Sequence, residues 1–317
     1  MRVVVLGKGL MLANIVLGAL DAGAEVVGVL RYEQTTTNRF KLFLKDLFLS
    51  APEVTLLKNL KINEIRMKSA NSTAFRKLMI ALNVDLIIVG TWKEKIRKET
   101  FNIPKIATIN VHPSLLPKYR GPNPYMQSIL HGEKYSGVTL HLMDENYDSG
   151  PILSQEKVEI AEGDTSKELR ERSVRVARKL VAEFIKDLDD KIITPIPQNE
   201  KFASYFCNIS GKERMLDFTF QTSEEITRTV RALHPFLPCY ITVDDKFFVV
   251  NPYKMAILPV EDRDCKPNDI IAKSSDRSSL TIVCTDKKAI RFSDLKLYKN
   301  SLFTSNYIEN NIKTIYD

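Results

Sequence analysis

Three residues of this 317-residue chain have types and spacing suited to chemistry: Asn110, His112 and Asp148. They lie in the strings Asn110-Val111-His112-Pro113-Ser114-Leu115-Leu116-Pro117-Lys118-Tyr119-Arg120-Gly121, Gly137-Val138-Thr139-Leu140-His141-Leu142-Met143 and Asp148-Ser149-Gly150. A carboxamide can donate to an acyl oxygen as it gains charge, an imidazole trades protons near neutrality, and a carboxylate can orient that ring. Each residue also has a structural reading. A lone His112 could be a satisfied packing residue, Asn110 could cap a turn, Asp148 before Ser149-Gly150 could form an Asx turn, and Ser114 to Pro117 could be a plain corner. Against these, Asn110 and His112 stand two apart, so in an extended segment both side chains emerge on one face. Lys118 and Arg120 beside glycine and proline suit an anion. One acyl-transfer site accounts for all of these features together, where the alternatives need a separate coincidence for each.

The elements that must position these residues read as follows. Residues 2–6 are a β-branched run ending in Gly7-Lys8-Gly9; an apolar-periodic stretch follows to Leu20, then Ala22-Gly23 and a second run over 25–30. Strand, glycine turn, helix, strand is the start of a Rossmann-like, doubly wound and mostly parallel α/β sheet. The third glycine of the dinucleotide fingerprint is absent and no acid ends the second strand, so the GxG alone does not make a dinucleotide site. Residues 84–89 read as a buried strand of the parallel type ended by Gly90-Thr91, 108–111 as a shorter one, and 138–143 as a half-buried strand with Asp148 in the loop beyond. This places all three candidates at the carboxyl edge of the sheet, where open α/β sheets bind ligands. Thr165-Ser166-Lys167-Glu168 has capping-box spacing, and Val174, Ala177, Val181 and Phe184 give one helical face running to about Leu188. The prolines of Thr194-Pro195-Ile196-Pro197 then stiffen a connection. Beyond it come a helix over 223–233 and short strands over 240–243, 247–251, 280–285 and 289–295, the texture of a small β-barrel or sandwich. The expected organisation is a catalytic domain over 1–190, a linker over 191–203 and a C-terminal domain over 204–317.

Composition bounds the partners. With 44% hydrophobic and 27% charged residues the chain has the make-up of an ordinary globular protein long enough for two cores. The apolar run at the N-terminus is too short for a signal peptide or a membrane span, so a cytoplasmic protein is expected. Cys207, Cys239, Cys265 and Cys284 show no metal-ligand spacing, and no metal is implied. The net charge is +7, and residues 31–100, with fourteen Lys and Arg against seven Asp and Glu, hold all of that excess. Such a stretch suits phosphate or nucleic acid, or it is a solvated helical face.

The run from Asn110 to Gly121, the Gly137-Val138-Thr139 strand and Asp148-Ser149-Gly150-Pro151-Ile152 resemble the signature of formyltransferases that use 10-formyltetrahydrofolate. Phe202-Ala203-Ser204-Tyr205, Leu216-Asp217-Phe218 and Arg231-Ala232-Leu233-His234-Pro235-Phe236 resemble the OB-like C-terminal domain of the methionyl-tRNA formyltransferase branch. The resemblance implies transfer of a formyl group from the folate to a primary amine, with no metal. Asn110 would donate to the formyl oxygen, His112 would sit against the reacting carbon and help move the amine's proton, and Asp148 would orient the imidazole. Ser114, Leu115, Leu116 and Pro117 would line the folate site, and Val89 and Gly90 would wall the pterin. Lys118, Arg120, Arg39 and Lys41 would meet the acceptor.

Two departures concern that acceptor. The basic loop of the tRNA branch carries glycines and prolines that residues 31–41 lack, and His141 is commoner in sugar-modifying relatives. Residues 201–317 also carry seventeen bases against fifteen acids, a weak footprint for tRNA. Three readings follow: a methionyl-tRNA formyltransferase, a formyltransferase of a nucleotide-linked amino sugar or another small amine, and an idle binding module, which would need a broken triad.

Overall fold

Strands that are apolar on both faces need cover on both faces, and the first half of the chain supplies it by alternating strands with helices. The computed structural model describes residues 1–48, 51–189, 194–244, 246–261 and 264–298. Its first elements are β1 (Arg2–Gly7), α1 (Gly9–Asp21), β2 (Glu25–Arg31), α2 (Tyr32–Thr36), α3 (Arg39–Phe48), α4 (Pro52–Asn59), α5 (Thr73–Ala81), β3 (Leu86–Gly90), α6 (Lys98–Phe101) and β4 (Ala107–His112). Next come α7 (Pro124–Leu130), β5 (Tyr135–Leu142), β6 (Ile152–Glu159) and α8 (Ser166–Asp189). The six strands form one sheet in the order β2-β1-β3-β4-β5-β6. β1 to β4 run parallel, as expected, while β5 runs antiparallel to both β4 and β6. This corrects the placement of Asp148: the loop after β5 does not leave a carboxyl end of the parallel strands, and the carboxylate reaches the others by folding back beside β4.

The strand order reverses at β1 and β3, whose last residues Gly7 and Gly90 are paired. A Cβ on Gly7 would lie 2.3 Å from the Gly90 carbonyl oxygen, so glycine is what lets these two strand ends approach. At the end of β2, where a dinucleotide-binding sheet has an acid, Arg31 is buried instead. Its guanidinium donates to Asp46 at 3.1 Å and to Glu64 at 2.6 Å, so its charge is consumed within the fold. The basic stretch after β2 is helical: α3 buries Leu42 and leaves Phe40, Phe43, Leu47 and Phe48 between 58% and 77% exposed, beside the exposed Lys41.

The chain divides into two compact units. The first comprises Met1–Pro124, Tyr135–Glu159 and Arg170–Phe206; the second comprises Tyr125–Lys134, Ile160–Leu169 and the residues from Cys207 onward. The proline-rich stretch, where it is described, is therefore not a free linker. Ile152 and Ile196 exchange backbone hydrogen bonds of 2.8 Å, and residues 194–206 are part of the first unit.

In the second unit α9 (Ser223–Leu233) begins with a complete capping box between Thr222 and Glu225. Its strands are β7 (Tyr240–Val243), β8 (Lys246–Val249), β9 (Met255–Pro259), β10 (Ile270–Lys273), β11 (Leu280–Val283), β12 (Lys288–Phe292) and β13 (Lys296–Leu297). Among the described residues they form two antiparallel sheets, β10-β11-β12-β9 and β13-β8-β7. Leu216, Phe218, Ile226, Ile241, Ile282 and Phe292 lie in the core of this unit.

Replacing Gly7 with alanine is expected to force β1 and β3 apart and to lower unfolding free energy by about 1–3 kcal/mol, the usual cost of overpacking, as measured by urea denaturation.

Candidate active site

β4 alternates: Ile109 and Val111 are buried on one face, and Asn110 and His112 share the other. The antiparallel register sets His141 opposite Asn110 and Thr139 opposite His112, so four polar side chains share one face of two adjacent strands. Thr139 has no exposed surface. Its hydroxyl donates to the Ser114 carbonyl at 2.6 Å and accepts from the Leu116 N–H at 3.2 Å and the Gln155 amide at 2.8 Å. The Ser114 hydroxyl donates to the Lys118 carbonyl at 2.8 Å. These bonds fix the loop that follows His112.

The loop brings a carbonyl to His112. Its Nε2 lies 2.9 Å from the Tyr119 carbonyl oxygen, and a carbonyl only accepts, so Nε2 carries a hydrogen. Nδ1 then faces Asp148 Oδ1 at 3.5 Å and is the nitrogen that can take up or release a proton. The His112 ring is thus held by a backbone carbonyl at one nitrogen and faces the Asp148 carboxylate with the other. His112 is 5% exposed, so little water competes for it.

Asp148 itself sits at φ 55°, in the left-handed region that Asp tolerates better than most residues. Oδ1 accepts from Asn110 Nδ2 at 3.1 Å and lies 3.7 Å from His141 Nε2; Oδ2 accepts from the Gly121 N–H at 2.9 Å. Burial pushes the carboxyl pKa up, but the His112 charge beside it and the Gly121 N–H hold it well below the usual carboxylate range. Asp148 is an anion in the folded protein. The backbone around it is pinned by Gln198, whose amide donates to the Asp148 carbonyl at 2.9 Å and the Gly150 carbonyl at 2.8 Å. Gly150 has no room for a side chain, since a Cβ would lie 1.9 Å from the Leu142 carbonyl oxygen.

Beside these groups is a cleft lined by Val89, Trp92, Ile96, Met143, Asp144 and Tyr147 together with Asn110, His141 and Asp148. The indole N–H of Trp92 on this wall is buried without a hydrogen-bond partner. Of the expected folate-lining residues, Val89 is on this wall, and Gly90 follows it, buried at the end of β3. Ser114 has no exposed surface and Leu116 only 3%. These two secure the loop rather than face the cleft, and Leu115 and Pro117 are half-buried.

Among the expected acceptor contacts, Arg120 is turned inward. It is 9% exposed and bonds to Gln198 at 2.8 Å and Glu200 at 2.7 Å, which holds residues 198–206 against the loop, and it also lines a cleft with Tyr147, Ser149 and Tyr205. Lys118 and Lys41 are exposed, and the side chain of Arg39 lies outside the described residues. His141, Thr139, Gln155 and Gln198 complete the site. Of these, His141 and Thr139 were legible as the alternate positions of a strand beside Asn110 and His112.

Residues 1–185 match the formyl transferase family. The chain belongs to that family. Along 91% of its length it is 30% identical to a methionyl-tRNA formyltransferase of Lactobacillus gasseri, of which it covers 92%. In fold it is similar to HypX from Aquifex aeolicus at a TM-score of 0.62 and 19% identity, over 95% of this chain and 45% of that longer one. It is similar also to an N-formyltransferase from Helicobacter canadensis solved with folinic acid and dTDP-3-aminofucose, at a TM-score of 0.62 and 19% identity, over 94% of this chain and 100% of that one. Among the described residues of the formyltransferase, no group of three or more His, Cys, Asp or Glu could hold a metal ion, and no helix is long and apolar enough to cross a membrane.

Because the folded pKa of Asp148 is depressed, the stability it contributes is fully present above the unfolded-state value of ~3.9 and is lost as pH falls below it. Denaturation followed from about pH 5 to about pH 2 is expected to show a steeper loss for the wild type than for Asp148→Asn. Gly150→Ala is expected to displace the Asp148 loop and cost at least about tenfold in turnover, measured by formyl transfer.

Proposed function

We propose that this enzyme transfers the formyl group of 10-formyltetrahydrofolate to the amino group of methionyl-tRNA. The observation that carries the chemistry is the buried Asp148 carboxylate bridging Asn110 and His112. The co-substrate supplies an activated formyl group on a ring-bearing nitrogen. The apolar wall of Val89, Trp92, Ile96 and Met143, with the unpaired Trp92 N–H and the polar Asp144, suits a flat heterocycle with polar edges. Asn110 donates an N–H to the formyl oxygen as it gains negative charge, and the Asp148–His112 Nδ1 pair receives the proton that the attacking amine must lose. The amine forms the new C–N bond, the bond to the folate nitrogen breaks, and a proton returns to that nitrogen.

The acceptor reading rests on the helix that follows β2 and on similarity that continues through the second unit, which we read as OB-like. α3 exposes Phe40, Phe43 and Phe48 beside Lys41 and Lys45. Aromatic rings that can stack on unpaired bases, set among cations that meet phosphates, suit single-stranded nucleic acid. A second cleft of about 300 Å³ shares Asn146 and Tyr147 with the first and is lined further by Arg120, Ser149, Ser204 and Tyr205; we read it as the side from which the amine arrives. A nucleotide-linked amino sugar is the second reading, favoured by the lack of glycine and proline in the 31–41 segment.

His112→Ala and Asp148→Asn are expected to abolish formyl transfer while both variants stay folded by thermal denaturation; turnover retained in both overturns the mechanism. With 10-formyltetrahydrofolate as donor, charged initiator tRNA is expected to outcompete a panel of nucleotide amino sugars. Lys41→Ala combined with Lys45→Ala is expected to weaken tRNA binding and to reduce its log–log salt slope by about 2, with the KM for the folate donor unchanged. A salt-independent acceptor KM in the wild type would favour the sugar.

A further inference from the structure

His141 is 2% exposed and has no part in the chemistry derived above, yet it touches two of the three groups that do. Its Nδ1 lies 2.8 Å from the Leu142 carbonyl oxygen, which can only accept, so Nδ1 carries the hydrogen. In the neutral ring Nε2 is then a bare lone pair. That lone pair lies 3.1 Å from Asn110 Nδ2, which can only donate. The second N–H of the same amide goes to Asp148 Oδ1, also at 3.1 Å. Both hydrogens of the Asn110 amide are therefore held by acceptors. Turning the amide over would set its oxygen against a carboxylate and a lone pair at once, two repulsive contacts in place of two hydrogen bonds.

We propose that His141 is a positioning residue for formyl transfer, whose neutral, Nδ1-protonated ring fixes the Asn110 carboxamide with its nitrogen toward the reacting group. The inference rests on the formyl-transfer reading of this site. The two acceptors are unequal. An N–H given up by Asp148 would leave one anion for another, whereas the N–H given up by His141 leaves a neutral lone pair for a developing oxyanion and gains a charge-assisted bond. The hydrogen bond to His141 is thus the one released to the formyl oxygen, and the bond to Asp148 keeps the amide in place while it is released. Gly150 supports the arrangement, because the Leu142 carbonyl that sets the tautomer lies where any Cβ at 150 would be.

Three variants separate this role from a packing role. In His141→Gln the side-chain oxygen reaches the position of Nε2 and restores an acceptor for Asn110. In His141→Asn the shorter amide reaches only the position of Nδ1, keeping the Leu142 contact and withholding the acceptor. His141→Leu fills the space with no polar atom. Formyl transfer would be measured with 10-formyltetrahydrofolate and the acceptor that the wild type uses, together with thermal denaturation of each protein. The expected result is a kcat lowered about 10- to 100-fold in His141→Asn and His141→Leu, with the donor KM within about twofold of the wild type, and recovery to within about fivefold in His141→Gln. Equal losses in the Gln and Asn variants, or a wild-type kcat in the Leu variant, overturn the proposal. If the wild type moves no formyl group to any acceptor, the formyl-transfer reading itself fails; if it does and the Gln and Asn variants match, only the role of His141 fails.

Discussion

The site is organised by one buried negative charge. Asp148 sits where burial alone would neutralise it, and it stays ionised because an amide, the His112 imidazole and a backbone N–H surround its two oxygens. Remove the charge and the reasons for the other orientations go with it: the Asn110 nitrogen has no anion to face, and His112 Nδ1 has no counter-ion. Remove the surroundings and the carboxyl takes up a proton and cannot accept another. Charge and setting are mutually required, and the fold supplies the setting from four separate stretches of chain.

Strand direction makes this possible. A sheet that stayed parallel past β4 would place the next strand's functional loop beside the end of His112. Because β5 turns back, it presents His141 and Thr139 alongside Asn110 and His112, one residue for the catalytic face and one for the loop that follows it. Thr139 and Gln155 then hold the loop at two carbonyls, Ser114 and Leu116. The loop thus leaves the strand of Asn110 and His112 and is held by β5, the strand of His141, and by its neighbour β6.

Much of this was legible in the residues. The opening strand–turn–helix–strand is specified by local pattern, and so were the helix at 223–233 and the strand at 240–243. The meeting of Asn110, His112 and Asp148 was legible because these residues are unusual where they stand and two of them share a strand face. What was hidden depends on distant partners. The direction of β5 leaves no mark on its own apolar residues, since a buried strand reads alike in either direction. Arg120 looks like a ligand residue in a string that offers it no other partner; Gln198 and Glu200, some eighty positions on, supply one. β9, β10 and β13 are short or largely exposed and carry little alternation. The helical course of α3 is written in its apolar spacing, but its basic residues draw the eye first.

The segment after the long helix of the first unit returns to the catalytic loop. Ser204 and Phe206 pair with the backbone of Arg120, Ser204 accepts the Tyr119 N–H, and Gln198 holds both ends of the Asp148 turn. The part of the chain that matches the family ends at residue 185, short of all of these contacts. A fragment cut at that boundary would keep every strand of the sheet and every side chain of the triad, yet the Tyr119 carbonyl that sets the His112 tautomer would hang from a loop with one edge open. The boundary of the family match and the reach of these contacts differ by about twenty residues, and among the described ones Gln198, Ser204 and Phe206 hold the loop through its backbone, through Arg120 and through the stacked Tyr119 ring.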